Sequence, residues 1–290
     1  MHLQDALQGY LRQLAADGRS THTIGQYHRH GSALLTWLDA HGASLDAADL
    51  TPDLLARFFA SDAARNRKGG GAKKATSTNA MRTSIRCFAA HLHAAGLIAA
   101  NPARLLRRAR CTPPPPRPLH EDEQARLRAL LAAAPDAEGQ RDRMLLELLL
   151  GSGIRIGSAL ALDVGDLDLS HGEITLRTGK NNRPTTALIP QGLAEQLQQF
   201  VAGRTAGPLF LARGRRLSTR QAQRRIGIWL RRAGIQGRSA HAMRHTFATL
   251  LLARTGDLRL VQAALNHASI ASTTIYAQVD RARLRAAVGR

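Results

Sequence analysis

The sequence predicts a mainly α-helical protein with one small antiparallel β-sheet, divided into an N-terminal four-helix unit and a C-terminal α+β unit. Three observations predict it. Apolar residues recur at helical spacing over most of the 290 residues. The stretch from Glu173 to Ile189 alternates instead, as paired strands do. Between the two units, Cys111 to Pro118 reads CTPPPPRP, and successive prolines enter neither a helix interior nor a sheet centre.

The first helix runs from Leu3 to Ala16 with Leu3, Leu7, Leu11 and Leu14 on one face. A second spans Thr21 to about His41, with Ile24, Tyr27, Leu34, Leu35, Trp37 and Leu38 inward. Thr51-Pro52-Asp53 opens a third with proline in the first helical position, carrying Leu54, Leu55, Phe58 and Phe59. Arg65 to Lys74 is a basic, glycine-rich mobile loop. The fourth helix, Thr76 to Gly96, turns Met81, Ile85, Phe88 and Leu92 inward and stops at glycine. The expected boundaries are a helical domain over 1–110, a linker over 111–118 and a second domain over 119–290. A proline run also suits a Pro-recognising partner, but its place between two helical regions favours a spacer.

The second domain opens with an acidic helix start, His-Glu-Asp-Glu, which suits the helix dipole. Arg141 to Leu150 is a strongly apolar helix ending at Gly151-Ser-Gly153. Glu173–Arg177 and Thr185–Ile189 form a hairpin with Lys180 in its turn, and Gly192 to Gly203 is helical. Leu209 to Leu211 is a short apolar piece. Ser218 to Ala233 is a helix studded with Arg220, Arg224, Arg225, Arg231 and Arg232 and anchored by Ile226, Ile228 and Leu230. In the next helix Met243, Phe247, Leu250 and Leu251 make the core face, while His241 and Arg244 share the other. Ser272 is the expected N-cap of a short helix that carries Tyr276 and brings it back toward His267.

Composition narrows the function. Hydrophobic residues make up 44%, enough for a folded chain with two cores. No apolar run approaches a bilayer's thickness and the N-terminus lacks a signal-peptide core, so no membrane is expected and the cytoplasm is the expected compartment. Cys87 and Cys111 do not make a disulfide framework. The 41 basic and 21 acidic residues leave a net charge of +20, with +8 over residues 1–112 and +12 over residues 113–290. Twelve arginines and no acidic residue lie between Glu195 and Asp257. A polyanion partner explains such a surface, against the plainer reading of a solvated, arginine-rich face. Gly151, Gly153 and Gly157 do not make a dinucleotide fingerprint, because the spacing is wrong and they follow a helix. Gly179-Lys180 lacks the remaining residues of a phosphate-binding loop.

A guanidinium, two imidazoles and a phenol in one stretch suit a phosphodiester. HAMRHTFAT followed by LNHASIASTTIY closely resembles the second signature of the tyrosine recombinases, the phage-integrase and Xer family, and IRIGSALALDVGDLDL resembles the first. The resemblance covers about Leu3 to Tyr276. It implies an N-terminal core-binding domain, a catalytic domain, and a linker that lets the two clamp duplex DNA. It places catalysis on Arg155, Lys180, His241, Arg244, His267 and the nucleophile Tyr276, with no cofactor and no metal, and it implies a homotetramer, or a mixed tetramer with a paralogue, on paired sites. Lys73, Lys74, Arg82, Arg86, Arg220, Arg224 and Arg225 are the candidate DNA contacts.

Departures and alternatives accompany it. Ser158 stands where the family usually has an acidic residue, so the site's orienting group is expected elsewhere, with Asp163 and Asp166 as candidates. Asn266 stands where glycine is usual, and with Ser158 it points away from the housekeeping Xer proteins. The start of the pattern at Leu3, with no arm-binding domain before it, points toward a simple Xer-like layout. A type IB topoisomerase uses nearly the same residues, and a non-exchanging DNA-binding protein has the same fold. His241, His245 and His267 have the spacing of a zinc set, but the neighbouring arginines would repel the ion.

Overall fold

A computed structural model describes residues 1–67, 69–111, 115–177 and 184–265 of the chain. The chain divides into two units, Met1–Pro113 and Pro114–Arg290. The first is all helix: α1 (Leu3–Ala16), α2 (Thr21–Ala40), α3 (Pro52–Ala60), the single turn α4 (Asp62–Arg65) and α5 (Ala75–Ala94). Thr51 caps α3 by accepting from the Leu54 N–H, and Pro52 takes the first position as its sequence predicts. Leu3, Leu7, Leu34, Leu38, Leu55, Phe58, Ile85, Phe88 and Leu92 are buried in one core. At roughly 1.5–3 kcal/mol for each large apolar side chain removed from water, this core is the main force holding the unit. Gly31 lets α1 and α2 approach, because a Cβ there would stand 2.6 Å from Leu7 Cδ1.

Asn66, Ala72 and Lys73 make contacts on either side of the loop glycines. Asn66 and Ala72 form a β-bridge, and Lys73 turns inward. Its Nζ donates to the carbonyls of Ala63 and Ala64 at 2.9 and 3.1 Å, satisfying the free end of α4. On α5, Asn79 is buried and its amide pairs with both main-chain groups of Ala109, each at 2.8 Å. That clasp fixes the residues just before the proline run against α5.

The second unit is built around α7 (Ala137–Ser152), which follows α6 (Glu121–Ala132). Met144, Leu145, Leu146, Leu148, Leu149 and Leu150 are all buried, so α7 is apolar around most of its girth and lies at the centre. After it come α8 (Ile156–Ala161), β1 (Leu167–Asp168), β2 (Glu173–Leu176), β3 (Thr185–Leu188) and α9 (Gln191–Val201). The three strands form an antiparallel sheet in the order β1-β2-β3, with Ile174 opposite Ala187 and Leu176 opposite Thr185. Ile174 and Leu176 face the core while Glu173 and Thr175 face out, the period of two that the sequence shows. A small ribbon, β4 (Leu211–Ala212) with β5 (Arg215–Arg216), precedes α10 (Thr219–Arg232), α11 (Ala240–Thr255) and α12 (Leu258–Ala264). Ser218 and Gln221 form a reciprocal capping box on α10. The predicted class, mainly α with a small antiparallel sheet, is the one observed, and the β4-β5 ribbon is a second sheet where the sequence predicts only a short apolar piece. Among the described residues no helix is long and apolar enough to cross a membrane.

Two packing expectations need correction. Trp229 is buried on α10 where Ile228 was expected to anchor, and Ile228 is only half-buried. On α11 the buried residues are Ala242, Met243, Arg244, Thr246 and Ala248, whereas Phe247, Leu250 and Leu251 are half-buried. Arg244 therefore belongs to the interior and not to an opposite, exposed face. Helix α11 packs against both α7 and α12, so its first turns are covered on more sides than one apolar stripe accounts for.

Candidate active site

Arg244 enters the core because two main-chain carbonyls receive it. Its Nη1 donates to Gly153 O at 2.6 Å and its Nη2 to Leu265 O at 2.7 Å. Gly153 is the C-cap of α7 and adopts φ of +62°, a left-handed conformation that suits glycine. A Cβ there would fall 2.3 Å from Phe247 Cδ1, so packing also requires glycine. The carbonyls at the ends of α7 and α12 thus orient the guanidinium and satisfy part of its hydrogen-bonding capacity, as burial of a charge demands.

Arg155 is exposed and forms the N-cap of α8, two residues beyond Gly153. His241 lies in the first turn of α11 and is exposed to solvent. Burial of part of the ring, then Arg244, then Arg155, hold its pKa below the usual histidine value. The two signature arginines, 89 positions apart in the sequence, therefore act on the same imidazole. His245, one turn further along α11, meets His241 edge to face with ring centres 5.0 Å apart. Burial, His241 and Arg244 push its pKa down to about 4, so it is neutral at pH 7. Leu119 at the end of the proline segment donates its N–H to Thr246 Oγ1 at 2.7 Å, pinning the entry of this unit to the helix that carries these residues.

Lys180, His267 and Tyr276, with the expected Ser272 cap and Asn266, lie outside the described residues. Arg155, His241 and Arg244 are the part of the predicted set that the structure brings together. Asp163 and Asp166 do not orient either signature arginine through a side-chain contact. They hold Arg177 and Arg216 instead. Among the described residues no group of three or more histidines, cysteines or acids is placed to hold a metal ion.

The candidate DNA contacts divide by what already holds them. Lys74, Arg86, Arg220 and Arg224 are exposed. Arg82 is half-buried, packs its guanidinium 5.2 Å from the Phe59 ring centre and reaches Asn79 Oδ1 at 3.4 Å. Lys73 is committed to α4 as described. Arg225 is committed too: its Nε donates to Asp142 Oδ2 at 2.6 Å, and Glu138 lies 3.2 Å from its Nη1. Asp142 is buried and also accepts from Arg141 and from Trp229 Nε1. Sequence reading grouped Arg225 with Arg224, although α10 turns neighbouring side chains about 100° apart. The signals for the alternative were Asp142 in a strongly apolar helix and a tryptophan four residues after Arg225.

Helical N-terminal unit, mixed C-terminal unit and paired arginines beside a histidine define an integrase-type enzyme. Residues 119–283 match the phage integrase family and residues 7–96 match the N-terminal SAM-like domain of phage integrases. The chain belongs to this family and is a site-specific tyrosine recombinase. It is 37% identical over 287 residues to the tyrosine recombinase XerC of Mycobacterium bovis (strain BCG / Pasteur 1173P2), covering 93% of this chain and 92% of that protein. The fold resembles XerH site-specific recombinase bound to palindromic difH substrate in a post-cleavage complex, with a TM-score of 0.74, 20% identity, and coverage of 97% and 83%. It also resembles a lambda integrase tetramer bound to a Holliday junction, with a TM-score of 0.73, 20% identity, and coverage of 93% and 78%. Ser158 and Asn266 pointed away from housekeeping Xer proteins, yet a Xer protein is among its relatives.

Proposed function

We propose that this recombinase cuts and rejoins duplex DNA through a 3′-phosphotyrosyl link on Tyr276. The observation that carries the reading is the convergence of Arg155 and Arg244 on His241. A phosphodiester repels nucleophiles, and two permanent guanidinium charges offset the charge that gathers on its nonbridging oxygens. Tyr276 attacks phosphorus, and the 5′-oxygen departs with a proton from Lys180. His241, kept neutral near pH 7, assists proton transfer, and His267 donates to the phosphate. The freed 5′-hydroxyl of a partner strand then attacks the phosphotyrosyl link, restoring both the phosphodiester and the phenol. The bond energy stays in the protein–DNA link, so no nucleotide cofactor is consumed.

Exposed Lys74, Arg86, Arg220 and Arg224 supply phosphate contacts, and the units flanking 111–118 grip DNA as separate modules. The lambda integrase tetramer on a Holliday junction supports a tetramer on paired sites. Covalent capture on a nicked duplex tests the reading: wild type should form a protease-sensitive protein–DNA adduct and Tyr276→Phe should form none.

A further inference from the structure

The β4–β5 ribbon reverses in two residues: Ala212 pairs with Arg215, so Arg213 and Gly214 alone make the turn. Both are left-handed, with φ of +52° and +74°. Two-residue hairpins favour this conformation because its twist matches that of the strands it joins. Glycine adopts it freely and asparagine readily, whereas an arginine there is disfavoured. The other non-glycine residue with positive φ among the described residues is Ala202, which ends α9 as a helix cap. Arg213 is not a cap, and its side chain is exposed, with no hydrogen-bond or ion-pair partner among the described residues. No contact within the described fold therefore compensates for the strained backbone at this position.

The ribbon that carries the turn is fixed. Arg141 Nη1 donates to Leu211 O at 3.2 Å, and the Leu217 N–H donates to Phe210 O at 2.9 Å. Arg216 Nη1 donates to Leu160 O and Leu162 O at 2.9 Å each, and the same guanidinium pairs with Asp163. Arg141 and Arg216 are thus used by the fold. Successive strand residues face opposite ways, so Arg215 stands on the face away from anchored Arg216, and it is exposed. Exposed Arg220 and Arg224 follow on α10, and the whole stretch from Glu195 to Asp257 contains no acid between its ends. A guanidinium on a rigid turn loses little backbone freedom when it meets an anion, and local strain at such a point is maintained where a ligand uses it. We propose that Arg213 is a DNA-phosphate contact, presented by this rigid turn just before α10 in the chain. The inference rests on duplex DNA being the substrate, and it requires neither Tyr276 nor Lys180.

The test is equilibrium binding of the full chain to a short duplex of random sequence, titrated in salt, beside thermal unfolding of the same proteins. Affinity for such a duplex follows phosphate contacts and the counterions they release. Arg213→Asn suits a left-handed turn and should melt at or above the wild-type temperature. It should nevertheless bind about 3- to 10-fold more weakly near physiological salt, with the salt slope reduced by about one unit. Charges farther than about 8 Å from a phosphate are largely screened at that ionic strength, so a loss there reports a contact and not net charge. Arg213→Gly should repeat the result, which separates the lost guanidinium from any effect of asparagine. Arg213→Lys keeps the charge without the planar fork and should bind between wild type and Arg213→Asn. Wild-type binding with unchanged affinity and slope in Arg213→Asn would overturn the turn contact alone. Lower melting temperatures in both the Asn and Gly variants would also overturn it, because the arginine would then serve the fold. A wild-type protein that does not bind the duplex would overturn the contact and the DNA reading together.

Discussion

Arg244 Nη1 donates to the main-chain oxygen of Gly153 at 2.6 Å, joining the second signature of the sequence to the glycine just before the first. The carbonyl is aimed by a left-handed residue, φ +62°, packed under the Phe247 ring. A side chain at position 153 therefore changes both the backbone and the direction of the acceptor. Gly153→Ala is expected to destabilise the protein by about 2–4 kcal/mol, combining the left-handed penalty with overpacking. Cleavage should fall further than the loss of folded protein explains. Thermal unfolding beside single-turnover cleavage checks both parts, and an unchanged melting temperature would refute the packing argument.

Arg155→Ala and Arg244→Ala are each expected to cost at least about two orders of magnitude in cleavage, roughly 2.7 kcal/mol or more, as for loss of one preorganised donor. Arg244→Ala should also lower stability, because the carbonyls of Gly153 and Leu265 each lose a buried donor. Arg155 is exposed, so Arg155→Ala should melt near wild type. Normal cleavage by either variant would remove that residue from the site.

Neighbours on α10 should behave differently. Arg225→Ala takes one partner from the buried Asp142 carboxylate. It should cost about 3 kcal/mol of stability, the low end for a broken buried pair, because Arg141 and Trp229 remain. Arg220→Ala and Arg224→Ala should leave stability within about 0.5 kcal/mol. Each should weaken DNA binding and reduce the salt dependence by about one unit of slope. Unfolding curves and salt-titrated binding separate the two outcomes, and a stable Arg225→Ala with weakened binding would reverse the assignment.

The helices and the hairpin were legible because they rest on local periodicity and on Thr51, Ser218 and Pro52 at helix starts. Arg155 and Arg244 were singled out from their motifs alone. The depth of Arg244 was not legible, because its acceptors are main-chain carbonyls and any residue type supplies a carbonyl. The partners of Asp163, Asp166 and Arg225 were hidden for another reason. Each pairing joins residues brought together only by the tertiary fold, such as Asp142 with Arg225 and Asp163 with Arg216. An arginine on an amphipathic helix looks the same in sequence whether it meets solvent, phosphate or a buried carboxylate.

His245 predicts a pH dependence of stability. Its folded pKa is depressed to about 4, against about 6.5 for an unperturbed histidine. The unfolded chain binds this proton more readily than the folded one, so the contribution is complete above about pH 6.5 and is lost as pH falls toward 4. Wild-type stability should therefore decline over that interval, and His245→Gln should decline less steeply. Chemical denaturation from pH 7.5 to 4 checks it, and parallel curves for the two proteins would count against a half-buried, neutral His245.

The most direct measurement of the proposed chemistry is trapping of Tyr276 on DNA. A nicked duplex whose cleaved fragment diffuses away should accumulate a protein–DNA adduct that survives denaturation and disappears on protease digestion. EDTA should not prevent it, since charge neutralisation comes from arginines and not from a divalent ion. Tyr276→Phe, which removes only the phenol oxygen, should bind the duplex within about twofold of wild type and form no adduct. An adduct formed by Tyr276→Phe would contradict the account, and so would a wild-type enzyme that cleaves the duplex without ever joining to it.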